Sequence, residues 1–336
     1  MPLGLWRRGP TARALAELRE DVRQLAAAVH ALDQQQAKDA KRMRQLLEER
    51  DTRWRKPLDE IERHLKAELK WRTNFSNQLA AVVRRLCLPI DQLDSSAALG
   101  ARRFHLRSQN EEDGILLELL ERAGWGHRRF VEIGSGATGG NAALLAYECG
   151  WSGLMIELAP KAAERARVRF AANAATQVLC ERVTPENVNV LLERHGYATD
   201  VDLLSIDIDS YDYWVFEALR ATPRVLMLEY NARFGPDRRV TIPRDQPVAG
   251  APKGYGGASL AALTALASRK AYRLVVCEDA GVNAFFLRED VAPDIPAVPV
   301  GQAFKPLRDR SNFRGGEVTS DIYEEARAAG LPLENV

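Results

Sequence analysis

Hydrophobic positions follow two regimes along the chain. Between residues 11 and 86 there is no glycine and one proline, Pro57. Leu15, Leu18, Val22, Leu25, Val29 and Leu32 recur there at alternating spacings of three and four, the apolar seam of a coiled coil, which calls for a partner helix. The seam turns polar at Gln36 and Asp39, resumes at Met43 and Leu46, and slips by one position around Trp54, Leu58, Ile61 and Leu65, where Pro57 predicts a bend. The polar stretch IDQLDSSAALG at residues 90–100 closes this regime and marks a domain boundary.

Beyond it, strand-like apolar runs alternate with amphipathic helical segments: FVEIG from Phe130, GLMIE from Gly153, TQVLCERV from Thr176, DLLSIDID from Asp202 and RVLMLEY from Arg224. Such alternation predicts a parallel sheet covered on both faces. After a Gly- and Pro-rich loop over residues 234–257 and a helix over 259–270 come two more runs, YRLVVCE from Tyr272 and VNAFFLR from Val282. The short gap around Asp279 to Gly281 cannot hold a crossover helix, so these two strands are antiparallel neighbours. The expected fold is α/β, a doubly wound, Rossmann-like seven-stranded sheet with its last strand antiparallel, preceded by an α-helical coiled-coil arm. Its expected parts are an arm at 1–89, the sheet domain at 90–300 and a tail at 301–336.

Composition narrows the class. With 46% hydrophobic and 28% charged residues over 336 positions, wholesale disorder and collagen are excluded. No apolar run approaches the roughly 20 residues that cross a bilayer, and the opening MPLGLWRRGP is charged too soon for a signal peptide, so the expected location is cytoplasmic with no membrane span. Cys87, Cys149, Cys180 and Cys277 are scattered without a CxxC pair, which fits reduced thiols better than disulfides or zinc. The net charge of +1 hides an asymmetry: residues 1–87 carry 19 Lys+Arg against 12 Asp+Glu, the remainder 28 against 34. A basic helical arm can meet nucleic acid or an anionic membrane, but a solvated face is the commoner meaning. The arm reads as a homo-oligomerisation element, with a hairpin against the chain's own later helix as the alternative.

The first strand runs into VEIGSGATGGN, where Gly134, Gly136 and Gly139 form a G-x-G-x-x-G spacing at a strand-to-helix turn. Such glycines let backbone approach a ligand and leave helix N–H groups free for it. The turn suits a dinucleotide as well as S-adenosylmethionine. Glu132 stands inside the strand where dinucleotide folds carry an apolar residue, and a carboxylate there matches the cationic methionine end of the methyl donor. Glu157, 23 residues beyond Gly134, is placed to accept ribose hydroxyls in either fold. The reversed final strand favours the methyltransferase version. The candidate donor-binding set is Glu132, Gly134, Ser135, Gly136, Asn141, Glu157, Glu181 and Asp207, with Glu181 at the adenine edge. Each has a plainer account: Gly134 as a tight turn, Glu132 as an ordinary strand residue, Glu157 as a carboxylate at a helix N-terminus.

Several segments carry a family likeness: SQNEEDGIL from Ser108, FVEIGSGATGGN, WSGLMIE from Trp151, VTPENVN from Val183, DLLSIDIDSYDYWVFEAL from Asp202, RVLMLEYN, YGGASLAALTALASRKAYRLV and GVNAFFLR. Together they resemble the FkbM-type family of class I S-adenosylmethionine-dependent methyltransferases, over residues 104–288. The resemblance implies O-methylation of a hydroxyl on a sugar, glycan or related small metabolite, and it implies that SQNEEDG lies over the cofactor with Gln109 and Asp113 in contact. It leaves out the arm and the tail after Val291, and residues 137–139 depart from the commoner G-x-G-x-G.

In doubly wound sheets the ligand lies beyond the carboxyl ends of the strands, so the chemistry is expected at the ends of strands four and five. Asp207 and Asp209 alternate in IDID, and one is expected toward donor and the other toward acceptor. Asp212 and Tyr213 follow; Glu229, Tyr230 and Asn231 close strand five. Methyl transfer is an in-line displacement, and an alcohol nucleophile must be aligned and lose its proton. Asp207, Asp209 and Glu229 are the candidate catalytic residues. A carboxylate can act as base, or Asp209, Glu229 and Asn231 can hold a hard ion, Mg²⁺ or Mn²⁺. The plainer alternative is that Asp209 and Asp212 cap the helix beginning near Tyr211.

Ser108 and Glu111 have the spacing of a capping box before the helix at Ile115. The loop over 234–257 carries Arg233, Arg238, Arg239, Arg244 and Lys253 in or beside it; as a substrate cover these meet an anionic glycan or a phosphate-bearing lipid carrier, and as surface residues they are solvated charge. His30, His64, His105, His127 and His195 have no motif partner. Rival readings are an NAD-dependent oxidoreductase and an inactive oligomeric scaffold. Nucleic-acid methylation is disfavoured because no NPPY-like base-flipping motif is present.

Overall fold

The computed structural model describes residues 103–245, 253–308 and 316–336, with residues 99 and 251 and helical positions 35, 38, 39, 41 and 42. The chain divides into two units, Met1–Gln92 and Leu93–Val336. In the first, Gln35, Lys38, Asp39, Lys41 and Arg42 are helical and exposed, and Gln35 Nε2 donates to Asp39 Oδ1 at 3.1 Å one turn on. The coiled-coil seam and the bend at Pro57 lie outside the described residues.

The second unit is built on β1 (Arg129–Ile133), β2 (Ser152–Glu157), β3 (Thr176–Cys180), β4 (Leu203–Ile206), β5 (Val225–Glu229), β7 (Tyr272–Cys277) and β8 (Asn283–Arg288). They form one seven-stranded sheet in the order β3-β2-β1-β4-β5-β8-β7. β1 to β5 pair in parallel, and β8 runs antiparallel to both β5 and β7. All seven expected strands are present, with the last one reversed. The order turns back between β1 and β4, the switch point where such sheets open a crevice at their carboxyl ends.

Period-two alternation sorts each strand onto two cores. Val131, Ile133, Leu154, Ile156, Leu204, Ile206, Leu226 and Leu228 face a cluster with Val188, Val215, Phe216 and Leu263. These belong to α4 (Val188–Arg194), α5 (Asp212–Ala218) and α6 (Leu260–Arg269). Phe130, Met155, Leu203, Val225 and Met227 face the other cluster, with Ile115, Leu119 and Leu145. That face is covered by α1 (Glu112–Ala123) and α2 (Ala143–Tyr147), while α3 (Pro160–Phe170) flanks β2 and β3. Burial on both faces is why β1, β2, β4 and β5 read as nearly unbroken apolar runs.

The expected capping box is displaced. α1 begins at Glu112, too far from Ser108 for that residue to be its N-cap. Asp113 takes the place assigned to Glu111: its Oδ2 accepts the N–H groups of Leu106, Arg107 and Ser108 at 2.5, 2.6 and 3.1 Å, while its own N–H donates to Ser108 Oγ at 3.3 Å. Glu111 turns instead to Arg103, 3.4 Å away.

Residues beyond 300 continue the same unit. α7 (Val300–Ala303) leads to Lys305, whose carbonyl accepts the Tyr230 hydroxyl at 2.8 Å. α8 (Ile322–Ala328) packs Ile322 and Ala326 on Phe234, Val240, Ile242 and Tyr255, and β9 (Glu334–Asn335) pairs antiparallel with β6 (Val240–Thr241). Cys149, Cys180 and Cys277 form no disulfide. Among the described residues, no helix is long and apolar enough to cross a membrane.

Candidate active site

The turn after β1 is shaped by what it must clear. Gly134 has φ 92°, and a β-carbon there would stand 1.7 Å from the Asp207 carbonyl oxygen, so only glycine lets the β1 and β4 tips lie side by side. The N–H groups of Gly134 and Ser135 both donate to the Ile156 carbonyl, at 2.8 and 3.2 Å. The next N–H, of Gly136, donates to Glu157 Oε2 at 2.8 Å, and Glu157 Oε1 accepts from Ala159 N at 2.7 Å. Glu157 thereby ties the glycine turn to the end of β2.

Glu132 sits beneath this turn, fully buried. Its two oxygens accept the N–H groups of Asn141 and Ala142, both at 3.1 Å, and Ser205 Oγ donates to it at 3.2 Å. A β-carbon at Gly140 would come 2.3 Å from Glu132 Oε1. The structure thus places Glu132 behind the turn, where it holds the first N–H groups of the short helix that follows, and not on a surface open to ligand. Burial pushes its carboxyl well above the usual range.

A cavity of about 690 Å³ opens over the carboxyl ends of β1, β2 and β4. Of the donor-binding set, Gly134, Ser135, Gly136, Asn141, Glu157, Glu181 and Asp207 line it, with Gln109 and Asp209. Asp113 is buried behind the Arg107–Ser108 backbone that it holds. Arg107, Thr138 and Arg182 also line the cavity and carry no spacing signal in the sequence. Arg107 is bound to Glu148 at 2.6 Å and lies over the Tyr147 ring.

β4 ends at Ile206 and the chain turns at Asp209, φ 56°; the carboxylates of Asp207 and Asp209 stay together at the strand tip, and both residues line the cavity. Ligand oxygens of Asp207, Asp209 and Glu229 lie within 4.8 Å of one another. Asp209 N–H donates to Glu229 Oε2 at 3.2 Å, and Asp207 and Glu229 share a hydrogen bond. Burial, then the charge of Asp209, pushes Asp207 up to about 6. Burial and the charges of Asp207, Asp212 and Asp209 raise Glu229 well above its ordinary value. Asp212, also raised by burial to about 7, does not cap α5; its carboxylate accepts the N–H groups of Ile208 at 2.9 Å and Ser210 at 3.0 Å, bracing the bend.

Asn231, assigned to a metal with Asp209 and Glu229, has its side chain engaged elsewhere. Its Oδ1 accepts from Arg233 N at 3.1 Å and its Nδ2 donates to the carbonyls of Gly254 and Gly256. The third oxygen donor of the cluster is Asp207. Three of the five loop cations are likewise engaged: Arg233 with Glu325, Arg238 with Asp321, Arg244 with Glu186.

No family model and no curated protein matches the chain. Among solved structures, the O-methyltransferase TomG from Streptomyces achromogenes, involved in tomaymycin synthesis and solved in complex with SAM, is similar at 22% identity and a TM-score of 0.35, over 61% of this chain and 92% of that one. The N-terminal domain of EvdMO1 with SAH bound is similar at 14% identity and 0.36, over 54% and 82%. The methyltransferase domain of bacterial CtHen1 is similar at 12% and 0.34, over 52% and 95%.

Proposed function

We propose that the chain is an S-adenosylmethionine-dependent O-methyltransferase of the FkbM type, acting on a hydroxyl of a sugar, glycan or related small metabolite. The observation that carries this reading is that one cavity joins the glycine turn and Glu157, suited to a nucleoside and its ribose, with Asp207 and Asp209 beyond β4, whose carboxyl oxygens lie within 4.8 Å of one on Glu229. The reversed β8 between β5 and β7 supports it, being the methyltransferase variant of the doubly wound sheet.

In the reaction the acceptor oxygen forms a bond to the donor's methyl carbon as the carbon–sulfur bond breaks in line, releasing S-adenosylhomocysteine. The hydroxyl proton passes to Asp207, which lines the cavity with Glu229 beside it. Asp209, held by its backbone to Glu229, orients the acceptor. The cluster's hard oxygen donors also fit Mg²⁺ or Mn²⁺, with Asp207, Asp209 and Glu229 as ligands. When bound, such an ion would lower the acceptor hydroxyl's pKa.

Calorimetry with S-adenosylhomocysteine and with NAD tests the reading. Binding of the first and not the second is expected; the reverse would make the chain an oxidoreductase. Turnover lost in EDTA and restored by Mg²⁺ supports the metal, and undiminished turnover removes it. We further propose that residues 1–89 assemble the chain into a homo-oligomer through the heptad seam.

A further inference from the structure

The cavity wall that carries Asp209 is braced from far along the chain. An aspartate keeps φ 56° only where its surroundings over-determine it. Asp212 and Glu229 supply part of that restraint. Residues 254–257 supply the rest. Gly257 N–H donates to the Ser210 carbonyl at 2.8 Å, and Gly256 lies so near that a β-carbon there would come 2.4 Å from the Asp209 carbonyl oxygen. The glycine segment is itself held by Asn231, at 2.8 and 2.9 Å to the Gly254 and Gly256 carbonyls, and by Arg233, which donates to the Lys253 carbonyl at 2.7 Å.

Arg233 is in turn fixed by the C-terminal segment. Its second terminal nitrogen pairs with Glu325 at 2.7 Å and its Nε donates to the Ser320 carbonyl at 3.4 Å, leaving the side chain 10% exposed. Tyr255 repeats the pattern: buried against Ile322 and Ala326, it donates its hydroxyl to the Pro332 carbonyl at 2.5 Å. The β6–β9 pairing and the Arg238–Asp321 contact at 2.8 Å fasten the other end of the loop to the same segment. The donor side takes its hydrogen bonds from β2 and from Glu157.

We propose that residues 316–336 are a positioning element for the acceptor side of the site and that Arg233 is the positioning residue that couples them to it. Through Arg233 and Tyr255 the segment sets the glycine backbone that keeps Asp209 beside Asp207 and Glu229. The term acceptor side rests on the methyltransferase reading; the coupling does not.

The test uses Arg233→Ala, Glu325→Gln and Tyr255→Phe in the full chain, with Arg327→Ala on the same helix as control. In Arg233→Ala, amide exchange at Ile242 and Gly257 is expected to speed up by about tenfold or more while β1 to β3 stay protected. Affinity for S-adenosylhomocysteine should stay within about twofold. With a sugar acceptor that the unaltered protein turns over, kcat should fall by roughly a hundredfold at constant donor KM, the loss that misplacement by about 1 Å produces. Glu325→Gln, whose amide oxygen still accepts from Arg233, should be rescued on every readout. Tyr255→Phe guards against a misfolded Arg233→Ala: it removes one hydroxyl and should speed exchange at Gly257 in the same direction. Unchanged exchange at Gly257 in both variants would overturn the proposal, as would parallel loss of donor affinity and kcat. If the unaltered protein binds no S-adenosylhomocysteine, the methyltransferase reading fails, and the exchange measurement alone decides the coupling.

Discussion

Gly134 and Gly136 stand two residues apart with φ of 92° and 57°, yet substitution should separate them. At Gly134 an added methyl meets backbone 1.7 Å away, so Gly134→Ala is expected to cost about 4 kcal/mol or more of stability, seen as a lower urea midpoint. At Gly136 the methyl meets nothing within 4 Å, and only the left-handed backbone is penalised, by about 1 kcal/mol. The space it enters is the cavity. Gly136→Ala should therefore fold and lose about tenfold or more in S-adenosylhomocysteine affinity by calorimetry. Arg273 is a purely structural counterpart. Its buried guanidinium donates to the carbonyls of Ile295, Arg288, Val291 and Ala292 between 2.6 and 3.0 Å. Arg273→Met leaves those acceptors unmatched and should destabilise by about 3 kcal/mol or more, with donor affinity unchanged.

The tips of β4 and β5 act together because Asp207, Asp212 and Glu229 are all raised by burial and, between them, by repulsion. The folded chain therefore keeps protons that the unfolded chain has released, and the slope of stability against pH is negative in that window. Their contribution is fully present below their unfolded values, near pH 4, and is lost as pH rises through about 6 to 7. Glu186 and Asp290, held low by Arg244 and Arg288, act with the opposite sign and only at lower pH. Urea melts in EDTA should show greater stability at pH 5 than at pH 8, and Glu229→Gln should flatten the difference. A rise toward pH 8 would mean that the carboxylates are balanced by a positive charge.

Across the whole molecule, the reversal of strand order between β1 and β4 decides where a ligand can sit, and the loops from both halves of the sheet meet there. The unit that carries this crevice begins at Leu93, and the heptad seam lies wholly before it. Deleting residues 1–86 should accordingly lower the mass found by light scattering from an oligomer to a monomer while S-adenosylhomocysteine still binds. An oligomer that survives the deletion would assign self-association to the second unit.

Local signals made the sheet legible. Apolar runs of strand length, separated by helix-length segments, specified the seven strands, and the short gap near Gly281 specified the reversed pair, because chain length limits which connections are possible. The glycine turn and Glu157 were legible for the same reason, lying at the strand ends the pattern had marked. The turn at Asp209 was not, since its left-handed backbone lies past the end of the strand pattern and is braced by Gly256 and Gly257, which are distant in sequence. Nor was the work of Asn231, Arg233 and Asp113, whose partners lie on backbone brought close by folding. Periodicity is a property of neighbours in sequence and determines the elements; the carboxyl cluster is a property of neighbours in space, and only packing decided which side chains would stand within reach of one another.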